Sequence, residues 1–222
     1  MSSETNRRKF LSSTAVVSIG FPALIPASAL GRNGTVAPSN RIVVGGIGVG
    51  RRGQKVLDSF LQQRDAQFVA VADPQKARRE LIKSQADKHY GNRDCAIYDD
   101  MSGVLERDDI DAVLVTTGDR WHATASIYAA RAGKDIYCEK PCAMNIQECQ
   151  ELDDNIKKHE RVFQAGTQRR SVPNFRLAAD LALKGKLGQV KEVHAGILQL
   201  QNYLAPLPAQ PEPDPGLINW DK

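Results

Sequence analysis

The stretch RIVVGGIGVGRRG, residues 41–53, decides the fold. It opens with a β-branched run typical of a buried strand and ends in Gly48-Val49-Gly50-Arg51-Arg52-Gly53, which matches G-x-G-x-x-G between a strand and a helix. Gly48 is expected to permit a tight turn, Gly50 to let the backbone approach a pyrophosphate, and Gly53 to let helix and strand pack closely. The helix N-terminus attracts phosphate, and Arg51 or Arg52 adds positive charge there. The motif predicts a dinucleotide site; the alternative is a purely structural glycine turn.

The pattern after this stretch alternates short apolar runs with helical segments. Because each run is apolar on both faces and is followed by a helix, the runs predict strands of a parallel sheet that is covered on both sides. Right-handed crossovers then give a doubly wound α/β fold. The predicted strands are 41–48, 67–72, 96–98, 111–117, 135–138 and 162–166.

Asp73 ends the second predicted strand, where a carboxylate can accept hydrogen bonds from both hydroxyls of the adenosine ribose. It would repel a 2′-phosphate, so the sequence favours NAD over NADP as the cofactor. Lys76 and Arg78 keep NADP open, since either can meet that phosphate. The alternative role for Asp73 is an N-cap ahead of Pro74.

The character of the sequence changes after residue 167. A helix is predicted over 173–184, and a long strand with partial alternation over 188–203, before a proline-rich end. We therefore divide the chain into a leader at 1–29, a linker at 30–40, a Rossmann domain at 41–167 and the incomplete beginning of a second α/β domain with an open sheet at 168–222.

The first 29 residues are typical of an export signal. Arg7 and Arg8 precede an apolar run that ends in small residues at 27–29, a pattern similar to a twin-arginine signal. The run is broken by glycine and prolines, so we expect cleavage and no stable membrane span, with a periplasmic or extracellular location. The alternative is an uncleaved anchor.

Composition narrows the partners of the protein. The formal charge is +4 and the basic residues are scattered, which argues against a nucleic-acid partner and for a small-molecule function. The cysteines show neither a Cys-x-x-Cys pair nor metal-ligand spacing, so no metal is expected and buried reduced thiols are predicted. Cys138 and Cys149 fall on apolar positions of a strand and a helix.

Lys140 follows the fifth predicted strand as part of Glu139-Lys140-Pro141. Residues at the carboxyl edge of such a sheet face its ligand, and Thr116 and Thr117 end the fourth strand at the same edge. A lysine there is either chemically active or only a solvated charge in a turn.

Five segments together resemble the glucose–fructose oxidoreductase and inositol dehydrogenase family (Gfo/Idh/MocA). They are GIGVGRRG, VADP, DIDAVLVTTGDRWHA, AGKDIYCEKP and AGTQRRSVPNF, in order between residues 41 and 203. The resemblance implies an NAD(P)-dependent oxidoreductase that transfers hydride from a sugar, cyclitol or related hydroxyl. It also implies that Lys140 moves the hydroxyl proton, that Glu139 orients the lysine or the cofactor ribose, and that the peptide before Pro141 can be cis.

The resemblance implies further site residues and leaves alternatives. His122 is expected near cofactor or substrate, and Gln168 and Arg169 near the substrate, whereas Gly118 and Arg120 depart from the usual turn. A glycosidase of the same fold that uses NAD for transient oxidation, and a non-catalytic NAD-binding protein, both remain open. A homo-oligomer is expected for a full-length member, and these 222 residues alone are expected to bind cofactor without turnover.

Overall fold

A computed structural model describes residues 30–32, 36–194, 196 and 216 of the chain. The chain divides into two compact units, Met1–Asn40 and Arg41–Lys222. In the first unit the described residues include a short 3₁₀ helix at Pro38–Asn40. The leader predicted at 1–29 lies outside the described residues.

The second unit alternates strands and helices as the sequence predicts. Its strands are β1 Ile42–Ile47, β2 Ala66–Ala72, β3 Ala96–Tyr98, β4 Ala112–Val115, β5 Asp135–Glu139 and β6 Phe163–Gly166. Its helices are α1 Arg51–Leu61, α2 Lys76–Tyr90, α3 Ser102–Leu105, α4 His122–Arg131, α5 Ile146–Lys158 and α6 Pro173–Leu183. Two further 3₁₀ helices lie at Asp119–Trp121 and Gln168–Ser171.

The six strands form one sheet in the order β3-β2-β1-β4-β5-β6. Every neighbouring pair is parallel, and β1 lies between β2 and β4. The order runs outward in both directions from β1, so the carboxyl ends of β1 and β4 diverge into separate loops and leave a crevice between them. The predicted doubly wound fold is confirmed.

Apolar side chains from alternate strand positions form two cores, one on each face of the sheet. In β4, Val113 and Val115 pack into one core, whereas Leu114 packs into the other. The first core contains Ala125 and Ala129 of α4, and the second contains Leu57 of α1. Successive side chains of a strand point to opposite faces, which is why a run that is apolar throughout belongs in the middle of this sheet.

Glycines end two of the helices where the sequence places them. Gly91 follows α2 with φ 69° and Gly133 lies just after α4 with φ 75°, both in the left-handed region. Glycine adopts this conformation without a Cβ clash, so it is favoured at helix C-termini.

The cysteines correct one prediction. All four are free; Cys95 and Cys138 are buried, Cys142 is half-buried and Cys149 is exposed. Burial raises the pKa of Cys138 to about 12 and that of Cys95 to about 11, so both remain protonated thiols. The prediction that Cys149 is buried is wrong, because α5 turns only Leu152 fully inward.

Residues after 167 fold differently from the prediction in one respect. Helix α6 forms as expected, and Gly185 beyond its end has φ 67°. The strand predicted over 188–203 is wrong over 188–194, which are exposed and outside any strand. A strand needs a hydrogen-bonded neighbour, and none of the described residues pairs with this segment. Of the remainder, only residue 196 is described.

None of the described helices combines the length and apolarity required to cross a bilayer.

Candidate cofactor and active site

A cavity of about 550 Å³ opens at the carboxyl edge of the sheet. Its size lies in the range of small-molecule and cofactor sites. The cavity lies where the strand order reverses at β1 and β4, the position that an open α/β sheet offers to a ligand. It brings together seven predicted residues: Gly48, Gly50, Arg51, Arg52, Asp73, Thr116 and Thr117.

The glycine loop is shaped by close packing. Gly48 has φ 64°, and a Cβ there would lie 2.8 Å from the Thr117 Cα. A Cβ on Gly53 would clash with the Thr116 Oγ1 and approach the Val49 Cγ1 to 2.8 Å. These two glycines therefore allow the loop to turn beneath β4 and α1 to approach the sheet.

Gly50 leaves the backbone accessible from the cavity. The nearest atom to a Cβ at Gly50 would be the Arg78 Nη1, at 3.7 Å. Gly50 is the N-cap of α1, and its own position contributes no capping side chain. The amides of the first helical turn, together with the helix dipole, offer a site for an anion.

Asp73 is buried at the end of β2 and lines the cavity. Its Oδ1 accepts a hydrogen bond from the Gln75 amide at 2.8 Å, and Arg79 donates to the Asp73 carbonyl at 2.9 Å. The pKa of Asp73 is raised above its usual value by burial, partly offset by the Gln75 amide and by nearby Arg78 and Arg79. Asp73 thus braces the turn before α2, whose N-cap is Gln75.

The two basic residues that keep NADP open lie in different places. Arg78 lines the cavity, whereas Lys76 is absent from its described lining and lies 3.8 Å from Glu80 in an exposed pair. Of these two residues, Arg78 is the one that lies at the cavity.

Several cavity residues were missed by the sequence analysis. Asp99, Asp100 and Met101 follow β3, and Trp121, which is 51% exposed, follows β4. All of them come after a strand at the same edge of the sheet. Residues at the carboxyl edge of such a sheet face its ligand, which is why Thr116 was predicted at the site. The same expectation applies to the residues after every strand and would have indicated these four.

His122 is buried beneath the site instead of lining the cavity. Its Nδ1 lies 2.6 Å from the Pro141 carbonyl oxygen, and its Nε2 lies 3.2 Å from the Thr117 carbonyl oxygen. The ring therefore joins the turn after β4 to the turn after β5. Its direct approach to cofactor or substrate stays a prediction.

Glu139 is the last residue of β5 and Lys140 follows it, and their side chains lie in contrasting environments. Glu139 is buried, and its Oε2 accepts a hydrogen bond from the Lys140 amide at 3.1 Å. Lys140 is exposed and outside the described lining of the cavity, and the peptide joining it to Pro141 is cis. The lysine side chain thus remains accessible while its backbone is fixed.

Gln168 and Arg169 lie in the 3₁₀ helix after β6 and have separate contacts. Gln168 Nε2 donates to the Glu139 Oε1 and to the Tyr137 hydroxyl, the latter at 3.2 Å. The Arg169 guanidinium lies 5.2 Å from the centre of the Phe175 ring. Their contact with substrate stays a prediction.

Among the described residues, no group of three or more His, Cys, Asp or Glu side chains is arranged to hold a metal ion.

A strand, glycine loop and helix that meet a buried acid at the edge of a parallel sheet define a dinucleotide-binding Rossmann domain. Residues 42–167 match the model of the family described as "Oxidoreductase family, NAD-binding Rossmann fold". The chain belongs to this family, the Gfo/Idh/MocA oxidoreductases.

Relatives with different names share this domain. The chain is 30% identical over 149 residues to 2,7-anhydro-N-acetylneuraminate hydratase of Mediterraneibacter gnavus, covering 67% of this chain and 37% of the relative. It is 29% identical over 177 residues to glycosyl hydrolase family 109 protein 1 of Shewanella sp. (strain MR-4), covering 70% and 38%.

A solved structure shows the same fold with a cofactor. Scyllo-inositol dehydrogenase from Lactobacillus casei, with bound NAD(H) and scyllo-inositol, superimposes with a TM-score of 0.59 at 28% identity. The match covers 67% of this chain and 42% of that one. The chain thus spans about two fifths of the length of the proteins it matches, and the shared part is the NAD-binding domain.

Proposed function

We propose that the protein is an NAD(P)-dependent oxidoreductase that acts on a sugar, cyclitol or related hydroxyl by hydride transfer. One observation carries the proposal: the glycine loop, the buried Asp73 and the residues just after β4 line a single cavity, and the exposed Lys140 directly follows the neighbouring strand β5. The dehydrogenase with bound NAD(H) and scyllo-inositol supports the substrate class.

The cavity residues fit a dinucleotide. A Cβ at Gly48 would fill the turn, Gly50 leaves the backbone accessible, and α1 presents its N-terminus beside them. These features would hold the pyrophosphate, and Asp73 would accept the hydrogen bonds of the adenosine ribose. When bound, the nicotinamide supplies the hydride acceptor.

Lys140 would handle the proton of the reaction. Its Nζ would hydrogen-bond the substrate hydroxyl and assist removal of the proton. Glu139 holds the Lys140 backbone through the amide, and His122 holds the Pro141 carbonyl, so the turn that carries the lysine is fixed on both sides.

The test begins with cofactor binding. Trp121 lines the cavity, so NAD should quench its fluorescence, while Trp121→Phe should abolish that signal without preventing the calorimetric response. NADH formation is then measured over a panel of sugars and cyclitols.

Mutation of Lys140 tests the chemical role. In a protein that carries a complete second domain of this family, Lys140→Ala should reduce turnover of an oxidised substrate by about 10²–10⁴ with little change in NAD affinity. Lys157→Ala, in an exposed pair with Asp153, is the matched control and should leave turnover unchanged. Turnover of Lys140→Ala within a few-fold of the unmutated protein would reduce the lysine to a surface charge.

A second candidate is a glycosidase that uses NAD for transient oxidation. The similarity to glycosyl hydrolase family 109 protein 1 favours it. This function predicts hydrolysis of a glycoside without net NADH, whereas a dehydrogenase accumulates NADH. NAD binding with neither activity would favour a non-catalytic NAD-binding protein.

Export, processing and assembly are further parts of the proposal. The paired arginines and apolar run in residues 1–29 support export by the twin-arginine route to the periplasm or beyond, with cleavage of the leader. Replacing both arginines with lysine should retain the protein in the cytoplasm. We also propose a homo-oligomer, which sedimentation of the purified protein would test.

A further inference from the structure

The two neighbouring arginines of the glycine loop differ in their contacts. Arg52 Nε donates to the Glu139 Oε1 at 2.9 Å, across 87 positions of sequence. Arg51 lines the cavity, and within the described part of the chain its side chain is not paired with an acid. Arg52 is therefore the residue to test, and the adjacent Arg51 is its matched control.

Glu139 is held by donors from three segments. Arg52 comes from the start of α1, Gln168 from the 3₁₀ helix after β6, and the Lys140 amide from the turn itself. The Glu139 side chain is only 4% exposed, whereas that of Arg52 is 51% exposed. A buried carboxylate depends on its donors, because without them its charge is neither paired nor hydrated.

The two carboxylate oxygens connect different parts of the site. Oε1 receives Arg52 and Gln168, and Oε2 receives the Lys140 amide. A change in the position of Arg52 therefore reorients a group that directly holds the backbone of Lys140. Arg52 also lines the cofactor cavity. Its side chain therefore connects a ligand at the glycine loop to the Glu139 carboxylate that holds the Lys140 turn.

We propose that Arg52 is a positioning residue that couples the glycine loop to the Lys140 turn through Glu139. The inference rests on the proposed function, because it assigns Lys140 a place next to the reacting hydroxyl. Arg51 has the separate role of attracting the cofactor phosphates. Arg52 thus determines the position of the Lys140 turn, and Arg51 determines how tightly the cofactor binds.

The Lys140 amide reports this coupling directly. The full 222-residue chain is labelled with ¹⁵N-lysine, and the Lys140 amide is assigned by its loss in Lys140→Arg. Lys134 provides an internal reference, because its amide donates to the Ala129 carbonyl at 2.9 Å and its side chain is buried. Hydrogen exchange of both amides is measured without cofactor, and their resonances are then followed during titration with NAD.

Arg52→Met should accelerate exchange of the Lys140 amide by about tenfold or more while that of Lys134 stays unchanged. The NAD-induced shift of the Lys140 resonance should fall by about half or more at saturation. In Arg52→Lys, the Lys140 exchange rate and the NAD-induced shift should lie between their values in Arg52→Met and in the unmutated protein, since an ammonium still donates to the carboxylate. Arg51→Met should weaken NAD binding but leave Lys140 exchange unchanged.

The outcomes separate this inference from the proposed function. Unchanged Lys140 exchange in Arg52→Met, or equal acceleration in Arg51→Met, would overturn the positioning role even if NAD binds. Absence of NAD binding to the unmutated protein would overturn the proposed function, whereas the exchange measurement would still decide the coupling. If Arg52→Met does not fold, Arg52→Gln replaces it, because glutamine lacks the charge of Arg52 and leaves Glu139 intact. Lys140 exchange that is unchanged relative to Lys134 in Arg52→Gln would overturn the coupling, and accelerated exchange would support it.

Discussion

Residues 41–167 and residues 168–194 bury their apolar side chains to different extents. The first region forms a six-stranded sheet with a core on each face. In the second region, α6 has no buried residue, and Leu177 and Leu183 are 61% and 86% exposed. The apolar cores and the cofactor cavity therefore belong to the first region, while α6 contributes an apolar surface.

The largest expected effect contrasts two leucines. Leu114 is fully buried in the central strand β4, so Leu114→Ala should lower the free energy of unfolding by about 2–5 kcal/mol. Leu177→Ala, in α6, should change it by less than about 0.5 kcal/mol. Urea unfolding followed by circular dichroism measures both. Equal losses of stability in the two variants would mean that Leu177 in α6 is packed as tightly as Leu114 in the sheet.

The strands and the doubly wound class of the sheet could be predicted from the sequence, because apolar runs that alternate with helices are a local pattern. A run such as 111–117 is apolar on both faces, and that property alone places it inside a covered sheet. The glycine loop was predictable for the same reason, since the turn at Gly48 and the packing at Gly53 are properties of adjacent residues.

Long-range contacts were not predictable in this way. No local pattern indicates that Arg52 reaches Glu139, or that His122 lies between the Thr117 and Pro141 carbonyls. The exposure of Cys149 likewise depends on how much of α5 the neighbouring elements cover. The strand predicted through 188–194 was wrong because alternation indicates a strand's faces and leaves its hydrogen-bonding partner unspecified.

The next largest effect concerns the preference for NAD over NADP. It tests whether residues 41–167 alone determine that preference. Wild-type protein should bind NAD more tightly than NADP, and Asp73→Ser should narrow this preference by about tenfold, or about 1.4 kcal/mol. The reason is that serine removes the charge that repels a 2′-phosphate. Calorimetric titration of both cofactors measures the ratio. Asp109→Ser is the control, because Asp109 pairs with Arg107 and lies outside the described lining of the cavity.

A smaller effect on NAD affinity should follow from protonation of the Asp73 carboxylate. Burial raises its pKa above the usual 3.8, and the ionised carboxylate is the acceptor for the ribose, so NAD affinity should weaken on acidification toward that pKa. We expect the NAD dissociation constant to rise as the pH is lowered toward this raised pKa, and Asp73→Asn should remove that pH dependence. An NAD affinity independent of pH in the unmutated protein would contradict this role.

The same shift has the opposite sign for the stability of the cofactor-free protein. A folded-state pKa above the unfolded value means that the folded chain retains a proton that the unfolded chain releases. The contribution of Asp73 to stability is therefore present below the usual pKa of 3.8 and is lost as the pH rises through the raised value.

The smallest expected effect comes from removing α6. A chain of residues 41–172 keeps Gln168, the donor to Glu139, and should unfold within about 1 kcal/mol of the full chain. Its dissociation constant for NAD should stay within about threefold, because the cavity residues all precede residue 126. A large loss of stability would assign α6 a role in the folded domain that its exposed side chains do not indicate.

The position of β1 in the sheet also determines when this domain can fold during synthesis. β1 needs both β2 and β4 as neighbours. The last residue of β1, Ile47, pairs with the last residue of β4, Val115, which comes 68 positions later in the chain. A chain growing from its N-terminus therefore leaves one side of its central strand open until residue 115 has left the ribosome. Throughout that interval the apolar residues of β1 and β2 are available to chaperones and to other nascent chains.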